Sequence, residues 1–568
     1  MDKTLEKLNT LVEKELKRAR EELVSRDQAY LDLIEILRHL DSAFIKGFLG
    51  KTGTIQEAVY FESIRFAWVS LASYYLKHID ALQAQLTYSS TEEQRTWAAH
   101  LLGWTGDLER VNRFNFAAYL NLLSIEETAP NIFSLKFSHD IPDKEGYDRA
   151  SYNYVQNMIE RQNQGGRQRV TAKFKAIRKQ MIANSGLSII AGKFIAYQTT
   201  PDVDKYFSDL GYYHFIKQKA FEDFGADDKF GEIPYQQYLD VLKAVTGVAL
   251  KHLGYCLVAL ERFPKVDLRD ISVYTWHKDR TLEDFAAITR LPLANVKQIF
   301  ACLTLDKDNV DDYTSMKGSD LPPYISIADD QLTRITYGAL GGGVDFLKRE
   351  LKRRYRPDYD KAVTRREARF RTDLYQYFKG ERFLTAKGEI EIKLPGLHTD
   401  IDAAIYDTKT KTLGLFQLKW QDMFFTSLKE RRNRISEAYN ASETWLKKMQ
   451  EWVAITPQTG VLKKLKFDPV HQEISKVQYF VIGRHHMHYT GLEPEPVAAW
   501  ASWYQLVESY ERYKINTNDP VKDLYDQLKM GLPSNRVKTE GYPEHPAYTI
   551  NFKTFKFRFN HDSDESEA

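Results

Sequence analysis

Between Thr399 and Trp420 the chain reads TDIDAAIYDTKTKTLGLFQLKW, and this stretch has very little freedom in how it can pair with itself. Side chains alternate between the two faces of a strand. Asp400 and Asp402 therefore share one face, and Ile401, Ala403 and Ile405 the other. In the second half Gln417 and Lys419 share a face, opposite Phe416, Leu418 and Trp420. Folding the two halves about Lys409-Thr410 sets Asp402 against Gln417 and Asp400 against Lys419. Opposed residues lie on the same side of a sheet, so one face gathers polar groups and the other a core. A slip of one residue would place Asp402 against Phe416 or Leu418, which burial forbids.

Two carboxylates beside a lysine suit Mg²⁺, a hard cation that takes carboxylate, water and phosphate oxygens, with Mn²⁺ as a substitute. Such an ion lowers the pKa of a bound water and stabilises charge on a phosphodiester. The lysine can orient that water or neutralise developing charge. Upstream, helical spacing over 361–379 aligns Val363, Phe370, Leu374 and Phe378. Glu367 falls on that stripe, where an acid needs either a metal or an ion pair, Arg371 being one turn on.

The order of elements is a helix carrying Glu367, a strand at 389–393, a strand with Asp402, a strand with Gln417 and Lys419, a helix at 423–452 and a strand at 476–484. This series resembles the PD-(D/E)XK restriction-endonuclease-like nucleases over residues 345–510. Gln-Leu-Lys stands where that family commonly has Glu-x-Lys, and it is similar to the Gln form of methyl-directed (Mrr-type) restriction enzymes. The resemblance implies a metal-dependent endonuclease hydrolysing DNA, in restriction or anti-phage defence. Asp402, Gln417, Lys419 and Glu367 would be catalytic. Asp402, Gln417, Glu367 and Asp400 would bind the metal. The Gln removes one charge from that site, so the alternative is a restriction-type fold that has lost catalysis and serves as a nucleic-acid or protein-binding scaffold.

The formal net charge of +2 does not by itself call for nucleic acid, but its distribution is uneven. Residues 348–382 hold 13 Lys/Arg against 6 Asp/Glu, and a second cluster follows the Gln-Leu-Lys strand. Arg365, Arg366, Arg369, Lys429, Arg431, Arg432 and Arg434 are thus the expected phosphate contacts, gripping backbone without reading sequence. The competing reading is a solvated helix face.

Two cysteines, Cys256 and Cys302, exclude a disulfide framework or a four-cysteine zinc site. The charged start MDKTLEKLNTLVEKELKRAREE lacks a signal-peptide core, and no apolar run approaches a membrane span. A cytoplasmic chain is expected.

The fold class expected is multidomain: a mainly α-helical N-terminal half, then a C-terminal α/β restriction-endonuclease-like domain with a central mixed sheet. Residues 1–250 form a helical, sensor or partner-binding part, with breaks near 87–93, 129–147 and 199–204. Residues 251–330 include two short helices around Leu291-Pro292-Leu293, resembling a helix-turn-helix that offers Asn295, Lys297 and Gln298 to DNA. Residues 331–560 form the nuclease-like part, entered through GALGGG (338–343), which is no Walker loop. An acidic tail, 561–568, follows. After Arg484, His485, His486 and His488 could bind a transition metal, but no Cys or acid lies at ligand spacing, so they read as exposed loop histidines that could line the rim of the cleft. Arg95 and His100 match the Arg-x4-His spacing of helical HEPN ribonucleases, a third reading. One site per chain makes a homodimer the simplest arrangement for double-strand cutting, and a protein partner or trigger would act through the helical half.

Overall fold

The computed structural model describes the chain except residues 1, 25–28, 51–54, 79–88, 120–122, 138–143, 184–185, 191–193, 219–223, 316–320, 421–434, 468–472, 490–491, 514, 516–517, 532–547 and 560–568. Helices dominate the N-terminal half. Four of them, α1 (Lys3–Val24), α2 (Ala29–Phe48), α3 (Ile55–His78) and α4 (Glu92–Tyr119), open the chain. Their apolar stripes, such as Leu5, Leu8, Val12 and Leu16 on α1, are buried.

A hairpin of β1 (Leu123–Ala129) and β2 (Ile132–Phe137) follows, where a break was expected near 129–147. Next come α5 (Lys144–Ala172), α6 (Phe174–Ile182), β3 (Ser188–Ile190), β4 (Phe194–Ala196), α7 (Pro201–Gln218), β5 (Lys229–Phe230), β6 (Ile233–Pro234) and α8 (Tyr235–Arg262). Helix α8 is apolar enough and long enough to cross a membrane, a length the sequence was not expected to supply. It is apolar because it is the spine of the largest core, with Leu239, Leu242, Val245 and Ala249 buried. Helices α7 and α8 cross closely at two glycines, where a Cβ on Gly211 would lie 2.6 Å from the Gly247 Cα.

The middle segment holds α9 (Leu268–Ser272), β7 (Tyr274–His277), α10 (Lys278–Thr289), α11 (Leu293–Ala301), β8 (Thr304–Leu305), α12 (Val310–Ser315), β9 (Tyr324–Ala328) and β10 (Gln331–Arg334). The expected helix pair is present as α10 and α11. Asn295 donates to the Gln237 Oε1 at 2.9 Å and Gln298 to the Gly231 carbonyl at 2.7 Å. Two of the three groups offered to DNA are thus used in packing, and Lys297 alone stays exposed. The glycine run forms a π-helical turn, Gly338–Gly342, leading into α13 (Gly343–Arg354) and α14 (Arg356–Tyr375).

The C-terminal part holds a five-stranded mixed sheet in the order β11 (Phe383–Thr385), β14 (Ala403–Asp407), β15 (Thr412–Lys419), β16 (Lys476–Gly483), β17 (Ala498–Ser502). Strands β14 and β15 pair antiparallel, while β15–β16 and β16–β17 pair parallel. A separate hairpin, β12 (Ile390–Leu394) with β13 (Leu397–Ile401), precedes β14. On one face Leu413, Leu415 and Val481 pack with α15 (Ala441–Ile455) and α16 (Gln458–Lys464). On the other, Phe416, Phe480 and Ile482 pack with α14, α17 (Trp503–Tyr513) and α18 (Pro520–Met530). Both faces covered by helices is what near-continuous burial of β15 requires.

The cores do not divide at residues 250 and 330. One cluster runs from Val170 to Ala362, and Val155 of α5 packs with Phe370 and Leu374 of α14. The terminal strand expected at 548–559 is a hairpin, β18 (Tyr548–Asn551) and β19 (Lys556–Phe559), with β19 parallel to β2.

Candidate functional site

The β14–β15 ladder has the register that parity requires. Ala403 faces Phe416, Ile405 faces Gly414 and Asp407 faces Thr412 across the turn, which places Asp402 beside Gln417. The Asp402 Oδ2 accepts from the Leu418 amide at 2.7 Å and from the Gln417 Nε2. Its backbone carbonyl accepts from the Arg371 Nε of α14.

The strand expected over 399–407 is broken at Asp402, where the chain leaves the sheet. Asp400 consequently pairs with Glu391 on β12 rather than with Lys419. It remains electrically close: its charge bears on both Asp402 and Glu389. Burial, then the negative charges of Asp400 and Glu389, push the Asp402 carboxyl up to about 7 against the pull of the Leu418 amide and Lys419. Glu389 is raised too, by burial, then Asp400, with Glu367 adding to it. Glu367 of α14, Glu389 just before β12, Asp400 of β13 and Asp402 just after it therefore crowd one neighbourhood, and Lys419 and Arg371 only partly balance them. Glu389 was missed as a site residue, although its place before β12 in the expected order of strands could have drawn notice.

Glu367 is a correction. It is exposed, not on the buried stripe. The buried face of α14 runs Tyr359, Ala362, Arg366, Phe370, Leu374, so Arg366 occupies the position expected for the acid. Arg366 lies there over the Trp420 ring, 5.3 Å from the centroid. It is thereby withdrawn from phosphate contact. Arg365 and Arg369 both pair with the buried Asp228, at 2.7 and 3.1 Å. Arg365 still keeps half its side chain exposed. Lys429, Arg431, Arg432 and Arg434 lie outside the described residues.

The histidines after β16 are also corrected. His485 and His488 are buried, not exposed. The missing acid comes from far away in sequence: Asp148 of α5 meets the His488 Nδ1 at 3.0 Å and accepts from the Met487 and His488 amides, each at 3.0 Å. Arg484 sits among Phe370, Trp420 and Trp503, and its amide donates to the Lys419 carbonyl at 2.7 Å. The end of β15 is thus fixed from both sides, which holds the Lys419 backbone in place.

Arg95 and His100 both lie on α4. Arg95 pairs with Asp267 at 2.8 Å, and the exposed His100 stacks on Trp104.

Among the described residues no group of three or more His, Cys, Asp or Glu converges tightly enough to hold a metal alone. The donors at Asp402 are all oxygen or amide groups, with excess negative charge. That suits a hard divalent cation held by one or two carboxylates and completed by water and substrate oxygens. The chain matches no protein-family model, no curated protein and no solved structure.

Proposed function

We propose that this chain is a divalent-cation-dependent endonuclease of the restriction-endonuclease-like kind, hydrolysing DNA phosphodiester bonds in the cytoplasm. The observation that carries this reading is the Asp402–Gln417–Lys419 register, with a carboxyl pushed up to about 7 by burial and neighbouring acids beside the end of β15. A carboxyl so crowded by other acids is relieved by a cation. Mg²⁺ or Mn²⁺ at Asp402 would activate water and stabilise charge on the phosphodiester. Gln417, whose Nε2 is turned to Asp402, would offer its Oε1 to the ion or its water shell. Lys419 would hold the attacking water or balance charge. Asp400, Glu389 and Glu367 would set the local field and take part of the ion's water shell. Restriction or anti-phage defence is the proposed setting, with the helical half as the partner-binding part and a homodimer for double-strand cutting.

A second reading, a restriction-type scaffold without catalysis, draws on the lack of a compact three-acid cluster among the described residues. The two separate on one assay. Supercoiled and linear DNA and RNA are incubated with Mg²⁺, Mn²⁺ or EDTA, beside Asp402→Ala and Lys419→Ala. Metal-dependent DNA nicking lost in both variants supports the nuclease. Cutting that survives both variants refutes it, and DNA binding with no cutting supports the scaffold.

A further inference from the structure

Arg365 and Arg369 of α14 pair with Asp228 and Arg366 lies over Trp420, and a further basic surface stands apart from them. From Arg161 to Pro201 the sequence contains eight Lys/Arg and no Asp or Glu. Most of these fall on the last three turns of α5 and on α6. Arg161, Arg167, Arg169, Lys173, Lys175 and Lys179 are all exposed. Arg178, the exception, pairs with Glu261.

The geometry separates the two halves of α5. Its first half is bound to the C-terminal sheet: Asp148 is buried against the His488 loop, Val155 joins the Phe370 core, and Ser151 donates to Glu508 at 2.8 Å. Its second half leans on α7 through Val170 and Gly166, where a Cβ would meet the Tyr213 hydroxyl at 2.1 Å. Val170, Gly166 and Asn163 face inward, and Arg161, Arg167 and Arg169 fan across the outward arc. The acids on the neighbouring helix are partly committed, Asp204 to Lys251 and Asp209 to Lys205. One helix thus joins the C-terminal sheet to a surface where basic side chains predominate. From Arg161 to Ala172 that surface runs about 17 Å, roughly five base-pair steps of duplex DNA. Phe174, 49% exposed between Lys173 and Lys175, adds an aromatic face among the cations.

We propose that the α5–α6 surface binds the phosphate backbone of DNA and carries it toward the sheet. A membrane surface is the less favoured occupant, because α6 buries its apolar side chains Ile177 and Met181 instead of presenting them. This inference rests on the DNA reading of the site, and the test is arranged so that each can fail alone.

Binding of a fluorescent 30-base-pair duplex is measured in EDTA against salt concentration, for the full chain and for Arg169→Gln/Lys173→Gln/Lys175→Gln. Three lost phosphate contacts should make the slope of log K against log salt shallower by about 2.7 and weaken binding by about tenfold or more. The side chains are exposed, so the melting temperature should hold. Restoring lysine at all three positions (Arg169→Lys with Lys173 and Lys175 native) should restore binding. Equal binding by wild type and triple variant, or binding to 30% phosphatidylserine vesicles in place of DNA, overturns the assignment. If the duplex binds through this surface but Mg²⁺ brings no cutting, the surface stands and the nuclease reading falls.

Discussion

Replacing Asp402 by Asn should stabilise the protein in the absence of metal, by an amount that grows as pH rises from about 4 to about 7. The Asp402 carboxyl titrates at about 7 in the fold against an ordinary value of 3.8. Between those values the native state holds a proton that the unfolded chain has lost, so stability falls as pH rises through the window and the loss is complete above about 7. The full difference corresponds to about 4 kcal/mol at 1.36 kcal/mol per pH unit. Asp402 is half-buried, so solvent screens part of this, and about 1–3 kcal/mol is the working figure. Asn keeps a carbonyl oxygen for the Leu418 amide and removes the charge that Asp400 and Glu389 oppose. Thermal unfolding of wild type and Asp402→Asn in EDTA at pH 5 and pH 8.5 should show a gain for the variant at both, roughly two to three times larger at pH 8.5 than at pH 5. Added Mg²⁺ should then raise the wild type alone, through its carboxylate. A melting-temperature gap that does not widen between pH 5 and 8.5, or a variant less stable at pH 8.5, refutes the crowding of acids on which the site rests.

Arg382→Ala should cost about 3 kcal/mol in denaturant unfolding, because it strands the fully buried Asp407 that Arg382 grips at 2.6 Å. Burial would raise Asp407, yet Arg382, Thr410 and the Lys409 amide together hold it below its ordinary value. That stabilisation is present above pH 3.8 and lost as pH falls through the lowered value, so an acid titration should separate wild type from variant above that range and merge them below it. Gly211→Ala should destabilise by about 1–3 kcal/mol on thermal unfolding, since its Cβ meets the Gly247 backbone. Asp148→Ala should cost about 3 kcal/mol and raise amide hydrogen exchange at Met487 and His488, whose amide protons it accepts.

The hairpin register was legible because a period of two and one buried face leave a single solution for Ala403–Asp407 against Thr412–Phe416. The α10–α11 pair was legible because Pro292 breaks a helical pattern at a fixed place. What escaped was set by contacts distant in sequence. Asp148 and His488 lie 340 residues apart, so nothing near His488 announced its acid. The break at Asp402 depends on β13 choosing β12 as partner, which parity within one hairpin does not reveal. On α14 the stripe was misplaced by one position because Arg366, charged in sequence, is made a core residue by the Trp420 ring. The β1–β2 hairpin escaped because its strands are short and partly polar, and its third strand comes from the far end of the chain.

That last pairing orders events during synthesis. Strand β2 ends at residue 137 and its partner β19 begins at 556. At about 5–20 residues per second, β2 waits roughly 20–80 s on the ribosome with one edge unpaired. Phe133 and Leu135, fully buried once β19 docks, face that interval without their final neighbours Phe555 and Phe557. An open edge beside exposed aromatics is a template for pairing with another nascent copy. Expression yield should therefore depend on how soon the last strand arrives, and a chain shortened before residue 556 should aggregate through β2 even though the candidate site, 150 residues upstream, is intact.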